Sequence, residues 1–210
     1  MKLRDVFVSA MTVCIGFVSA NAFEVNTPSP LLAQDEVFRS AYYDTINILS
    51  ASNECSDFFG GPSSSIDAFN ELFARVGSDF LAPSIGIVMS GATTNVVSMS
   101  TGRKYRLFEK VTINRNGPFY RHRAPETHPT LSGVGRYHAN TREARVLMLL
   151  HELGHVIEAD GKWLLPDDGR DADVSRSNTR RIEDACTRQI RDIWKGEPAA
   201  RPVNLNSESK

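Results

Sequence analysis

Cysteine is scarce in this sequence, with three residues in 210. That is too few for the disulfide frameworks that hold small secreted scaffolds together. Net charge is nearly absent too: 24 Lys and Arg against 25 Asp and Glu leave −1. Such a balance offers no electrostatic footprint for nucleic acid or for an anionic membrane. The basic cluster Arg121-His122-Arg123 is short and reads as a solvated loop. The uncharged, mostly apolar run from Val6 to Ala20 is 15 residues long, short of the roughly 20 needed to span a bilayer. Internal repeats and low-complexity tracts are lacking, which excludes solenoids and arrays. What is present is ordinary globular usage, 41% hydrophobic and 23% charged. That excludes wholesale disorder and sets an expectation of one domain.

The apolar run has a second use. Lys2 and Arg4 precede it and Ala20-Asn21-Ala22 closes it, the order of a secretory signal peptide with cleavage after Ala22. Residues 1–22 are therefore expected to be removed, and the protein to be secreted or periplasmic with no stable membrane association. Cys14 would leave with the signal. The remaining pair, Cys55 and Cys186, reads as a disulfide in an oxidising compartment. Residues 23–196 are expected to form the single domain, and the polar end, 197–210, a disordered tail.

Apolar spacing predicts helices over 35–50 and 65–76, after a Pro-rich extended segment at 23–33. Between Ile85 and Tyr120, short β-branched runs around 85–89, 95–99, 105–108 and 110–114 read as strands of a small, mostly antiparallel sheet. The clearest helix spans 140–159, with Asn140 and Glu143 as a capping box and Gly161 as its stop. Its centre, Val146-Leu-Met-Leu-Leu150, is apolar all round, so it should run through the core. A last helix is expected near 178–195, with Asn178 and Thr179 as caps. The class is α+β.

That buried helix carries His151-Glu152-Leu153-Gly154-His155, an H-E-x-x-H pattern. Residues four apart share a helix face, so both imidazoles can grip one zinc ion about 2.0–2.1 Å away. Glu152 stands about 100° off that face. It is no ligand and can take a proton from water on the metal's open side. Two imidazoles and a carboxylate among leucines are costly to bury unpartnered, and one Zn2+ per chain supplies the partner.

A third ligand must come from elsewhere. Metzincins place a histidine six positions after the second, where Gly161 stands, which excludes them. On the last helix, Glu183 falls at the edge of the stripe formed by Ile182, Cys186 and Ile190. A gluzincin carries its third ligand on such a helix. The loop Leu165-Pro-Asp-Asp-Gly169 offers Asp168 instead, and Asp160, Asp167 and Asp171 are further acids nearby.

The motif His151–His155, the Pro166-Asp-Asp-Gly169 loop, Ser175-x-x-Asn178-Thr179, Cys186 and the segment Cys55-Ser-Asp-Phe-Phe-Gly-Gly61 together resemble small secreted bacterial H-E-x-x-H proteins of acidobacterial type, within the zincin metallopeptidases. The resemblance implies a zincin-like fold: a long buried H-E-x-x-H helix packed on the small sheet, with amino-terminal helices before it and a closing carboxy-terminal helix after it. It favours Asp168 as third ligand, while the helical wheel favours Glu183. The function implied is a secreted zinc metallopeptidase acting on a peptide or protein substrate, with Glu152 as general base. Alternatives are a non-catalytic secreted zinc-binding protein and a zinc hydrolase of another amide bond, such as one in a cell wall. Tyr137 and His138, just before the helix, are candidates for oxyanion contact.

Overall fold

The computed structural model describes residues 29–126, 129–169 and 171–195. The expected signal segment 1–22 and the expected tail 197–210 lie outside them. Among the described residues, six α-helices accompany a three-stranded sheet and a small hairpin, an α+β arrangement. Among the described residues no helix is long and apolar enough to cross a membrane.

The chain begins with α1 (Pro30–Gln34) and α2 (Glu36–Ser50). Residues 30–34 are thus helical where an extended segment was expected. Ser29 accepts from the Leu31 amide and Pro30 follows at the first helical position, and a proline there costs no hydrogen bond because that amide would be orphaned anyway. Short α3 (Glu54–Phe58) carries Cys55, and α4 (Pro62–Phe73) follows the Gly60-Gly61 break. Phe38, Phe69, Phe73 and Phe119 are fully buried and meet as tilted ring pairs, Phe69 and Phe73 at 4.8 Å between centroids.

The sheet has the order β1-β3-β2. The four expected short strands are two long ones, β2 (Ile87–Val97) and β3 (Lys104–Asn114), paired antiparallel with a register shift between Ser90 and Thr93. Gly91 sits in that irregularity at φ 85°, a conformation that favours glycine. Strand β1 (Val76–Asp79) runs parallel to β3. Apolar spacing predicts a helix running to Val76, but Val76 starts β1 and is buried in the core.

Against this sheet and the aromatic cluster lies α5 (Arg142–Val156). It is shorter than the expected 140–159 at both ends. Thr141, not Asn140, is the N-cap and accepts from the Ala144 amide; Asn140 adopts φ 63° in the turn before it. At the other end the chain leaves the helix after Val156 and forms the hairpin β4 (Glu158–Ala159) and β5 (Lys162–Trp163). Its turn residues Asp160 and Gly161 have φ 52° and 76°, the left-handed pair that Asp-Gly accommodates in tight hairpins. Gly161 therefore serves a hairpin rather than a helix stop. The interior of α5 is as expected: Val146 through His151 and Leu153 through Val156 are buried.

The closing helix α6 (Ala172–Asp192) begins six residues earlier than expected, capped by Asp171, whose side chain accepts from the Asp173 and Val174 amides. Its Cys186 is bonded to Cys55 across 131 residues of chain, and both are fully buried. The bridge ties α6 to α3 and so to the amino-terminal half. Replacing both cysteines by Ala should lower stability by about 4–5 kcal/mol on the chain-entropy account. Denaturant unfolding would measure this, and an unchanged midpoint would refute a stabilising bridge.

Candidate metal centre

On α5, His151 and His155 are successive turns of one buried face. Their Nε2 atoms lie 3.0 Å apart. The chain then reverses through β4–β5 and returns beside the end of the same helix, where the Leu165 amide donates to the Gly154 carbonyl at 2.9 Å. This return carries Asp168 over the histidines. Its Oδ2 lies 3.0 Å from His151 Nε2 and 3.6 Å from His155 Nε2.

Three acceptor-capable atoms thus converge. Four-coordinate zinc with bonds of 2.0–2.1 Å would space its ligand atoms by about 3.3 Å, and the observed 3.0, 3.0 and 3.6 Å bracket that value. The donor set of two imidazoles and one carboxylate suits zinc. No other group of three or more His, Cys, Asp or Glu among the described residues converges in this way. The residues therefore fit a metal ion.

The surroundings orient the donors. His151 Nδ1 lies 3.1 Å from Thr179 Oγ1 on α6. With Nδ1–H donating to that hydroxyl, the Nε2 lone pair is left facing inward. Thr179 is mid-helix, not the cap expected from sequence, and neighbouring Asn178 donates from Nδ2 to the Pro166 carbonyl at 2.9 Å. Gly169 takes φ 48°, and the Asp171 amide donates to the Asp168 carbonyl at 2.7 Å. The Asp-Gly pair is thus both a turn and the bearer of the carboxylate.

Electrostatics follow from this packing. Burial alone would raise the Asp168 pKa, but hydrogen bonds and charge from His151 and His155 hold it well below the ordinary carboxylate range. For His155, burial works downward and is outweighed by Asp168, Glu152 and Asp167, so its pKa rises. Glu152 keeps part of its surface exposed, yet desolvation by the surrounding protein dominates and pushes its carboxyl up against the pull of both imidazoles. Its carboxylate hydrogen-bonds to no described residue, which leaves it available to a ligand.

Glu183, the alternative ligand, is not brought to this point. It is buried on α6, but its Oε1 accepts from the Arg136 backbone amide at 2.7 Å and from Arg136 Nε at 3.1 Å. It fastens the loop that precedes α5, and a Cβ on Gly135 would overlap its carboxylate. Asp167 turns away from the histidines to Arg106, Asp171 caps α6, and Asp160 lies in the hairpin turn. Tyr137 is half-buried near Glu183 and Arg136, and among the described residues no hydrogen bond or ion pair joins it or His138 to His151 or His155.

Gly154 makes the arrangement possible. A Cβ there would fall 2.5 Å from Leu165 Cδ1, while Ile182 Cδ1 on α6, at 3.6 Å, would be in ordinary contact, so the glycine makes room for Leu165 of the returning loop. Gly154→Ala should cost about 1–3 kcal/mol through overpacking. The check is a lower urea midpoint at unchanged slope, and a wild-type midpoint would show that the loop yields freely.

Comparison with protein-family models, with curated proteins and with solved structures finds no match to this chain.

Proposed function

We propose that the protein is a zinc-dependent hydrolase of peptide bonds with a zincin-like fold, working outside the cytoplasm. One observation carries this reading. Asp168, 13 positions beyond His155 and in a separate loop, arrives at the point where the two H-E-x-x-H imidazoles meet. A buried disulfide suits an oxidising compartment, as does the signal-like start of the sequence.

His151, His155 and Asp168 would hold the ion and leave one position of a four-coordinate site free, the pattern of catalytic rather than structural zinc. When bound, zinc polarises the scissile carbonyl and makes water acidic enough to attack near neutral pH. Glu152 follows His151 directly, three positions before His155, and no hydrogen bond ties its side chain down among the described residues. Its carboxylate accepts the proton released as water adds to the carbonyl carbon. It then delivers that proton to the leaving nitrogen as the C–N bond breaks. Thr179 keeps His151 in the tautomer that presents Nε2, and both imidazoles are buried, which limits their exposure to bulk water.

The test combines zinc content with turnover of a degenerate peptide library, with and without chelator. Glu152→Gln should keep stoichiometric zinc while turnover falls by about 10²–10⁴-fold. His155→Ala and Asp168→Ala should lose the metal, whereas Glu183→Gln should retain it. Full activity in Glu152→Gln would overturn the mechanism. Loss of zinc in Glu183→Gln with retention in Asp168→Ala would overturn the ligand set. Stoichiometric zinc in a wild type that cleaves nothing in the library would favour a binding protein or a hydrolase of another amide.

A further inference from the structure

Arg106 lies in β3 and is only 8% exposed, although the sequence pattern gave it no role. Burying a guanidinium is costly unless its donors are satisfied. Nε donates to the His155 carbonyl at 2.8 Å, and Nη2 donates to Asp167 Oδ1 at 2.9 Å. One acceptor belongs to a histidine of the candidate site; the other is the residue before Asp168. The guanidinium also lies over the rings of Trp163 and Phe108, at 4.6 and 5.1 Å. Trp163 is in β5, the hairpin that turns the chain back. The end of α5, the hairpin and the Asp168 loop therefore meet at one planar, rigid fork of donors.

We infer that Arg106 is a positioning residue for the metal centre, setting where Asp168 stands relative to His155; this rests on the reading of His151, His155 and Asp168 as ligands. The rest of the loop is pinned at Leu165 by the Gly154 carbonyl, at the Pro166 carbonyl by Asn178, and at the Asp168 carbonyl by the Asp171 amide. Those bonds fix the path of the chain on either side of Asp167. The contact with Arg106 fixes Asp167 itself, and Asp168 begins one peptide unit later. Because the same guanidinium grips the His155 carbonyl, a shift of the loop away from the helix must break one of two charge-assisted bonds. The carbonyl is also one of those left unpaired at a helix carboxy terminus, where a cation is favourable.

The geometry separates positioning from mere stability. The Asp167 side chain is 73% exposed, and ion pairs with so exposed a partner contribute little to folding. Removing its charge should leave the fold intact and still loosen the loop. The experiment measures zinc dissociation constants by chelator competition, and metal-free thermal midpoints, on the full disulfide-bonded chain. Asp167→Asn should weaken zinc several-fold with a metal-free midpoint like that of wild type. Arg106→Gln should weaken zinc by about 10- to 100-fold, the usual cost of losing a residue that supports a ligand. Arg106→Lys should fall between them, since a single ammonium cannot reproduce the fork. The double variant should bind no more weakly than Arg106→Gln alone. If Arg106→Gln fails to fold, Asp167→Asn decides. Wild-type zinc affinity in Asp167→Asn, or additive losses in the double variant, would overturn the inference. A wild type that binds no zinc would overturn the metal reading itself, and this inference with it.

Discussion

The constraint on which this architecture turns is a helix with no solvent face. From Val146 to Val156, α5 is buried except for Glu152, so it needs cover on every side. Helices α2 and α4 with the aromatic cluster supply one part, the sheet another, and α6 a third. Apolar side chains in that stretch gain from burial, but two imidazoles lose their water. Their nitrogens find partners only in part: among the described residues His155 Nδ1 is buried with no hydrogen-bond partner. Thr179 takes one outer nitrogen, and Asp168 meets the inner ones.

Three sequence features together deliver the carboxylate. The helix stops at Val156, Asp160-Gly161 turns the chain in two residues, and the missing side chain at Gly154 lets Leu165 settle against the helix. None of these residues is a ligand. A longer connection would have charged more conformational entropy for the same return. The short hairpin makes the loop a close neighbour of the helix it covers.

Sequence alone carried much of this. The α+β class, the buried helix that holds His151 and His155 on one face and the Cys55–Cys186 pair are readable from pattern, because a 3.6-residue period and an even cysteine pair leave few options. Other features depart from their sequence pattern for identifiable reasons. Gly161 follows an apolar helix and resembles its stop, and only the paired Lys162–Trp163 strand shows that Asp-Gly is a hairpin turn. Asn178 and Thr179 look like caps because such residues favour that place, yet Asp171 holds it. Arg106 leaves no mark at all: an arginine between Tyr105 and Leu107 in a strand reads as its polar face. Its value depends on acceptors 49 and 61 residues away.

The failure of Glu183 to reach the histidines follows from the same packing. Thr179 contacts Nδ1, the outer nitrogen of His151, so α6 passes behind the imidazole rather than in front of Nε2. A residue one helical turn later continues along that rear path, about 6 Å further on. There Glu183 meets Arg136 and the loop before α5. The helical wheel was right that Glu183 leans inward, since it is 5% exposed, but a wheel fixes only rotation about an axis. Which side of a neighbouring helix that axis crosses is a tertiary choice, set here by the burial of Ile182 and Ile190 and by the bridge at Cys186. With α6 behind the ring, the front is left to a loop, and a loop can bring Asp168 in without moving either helix.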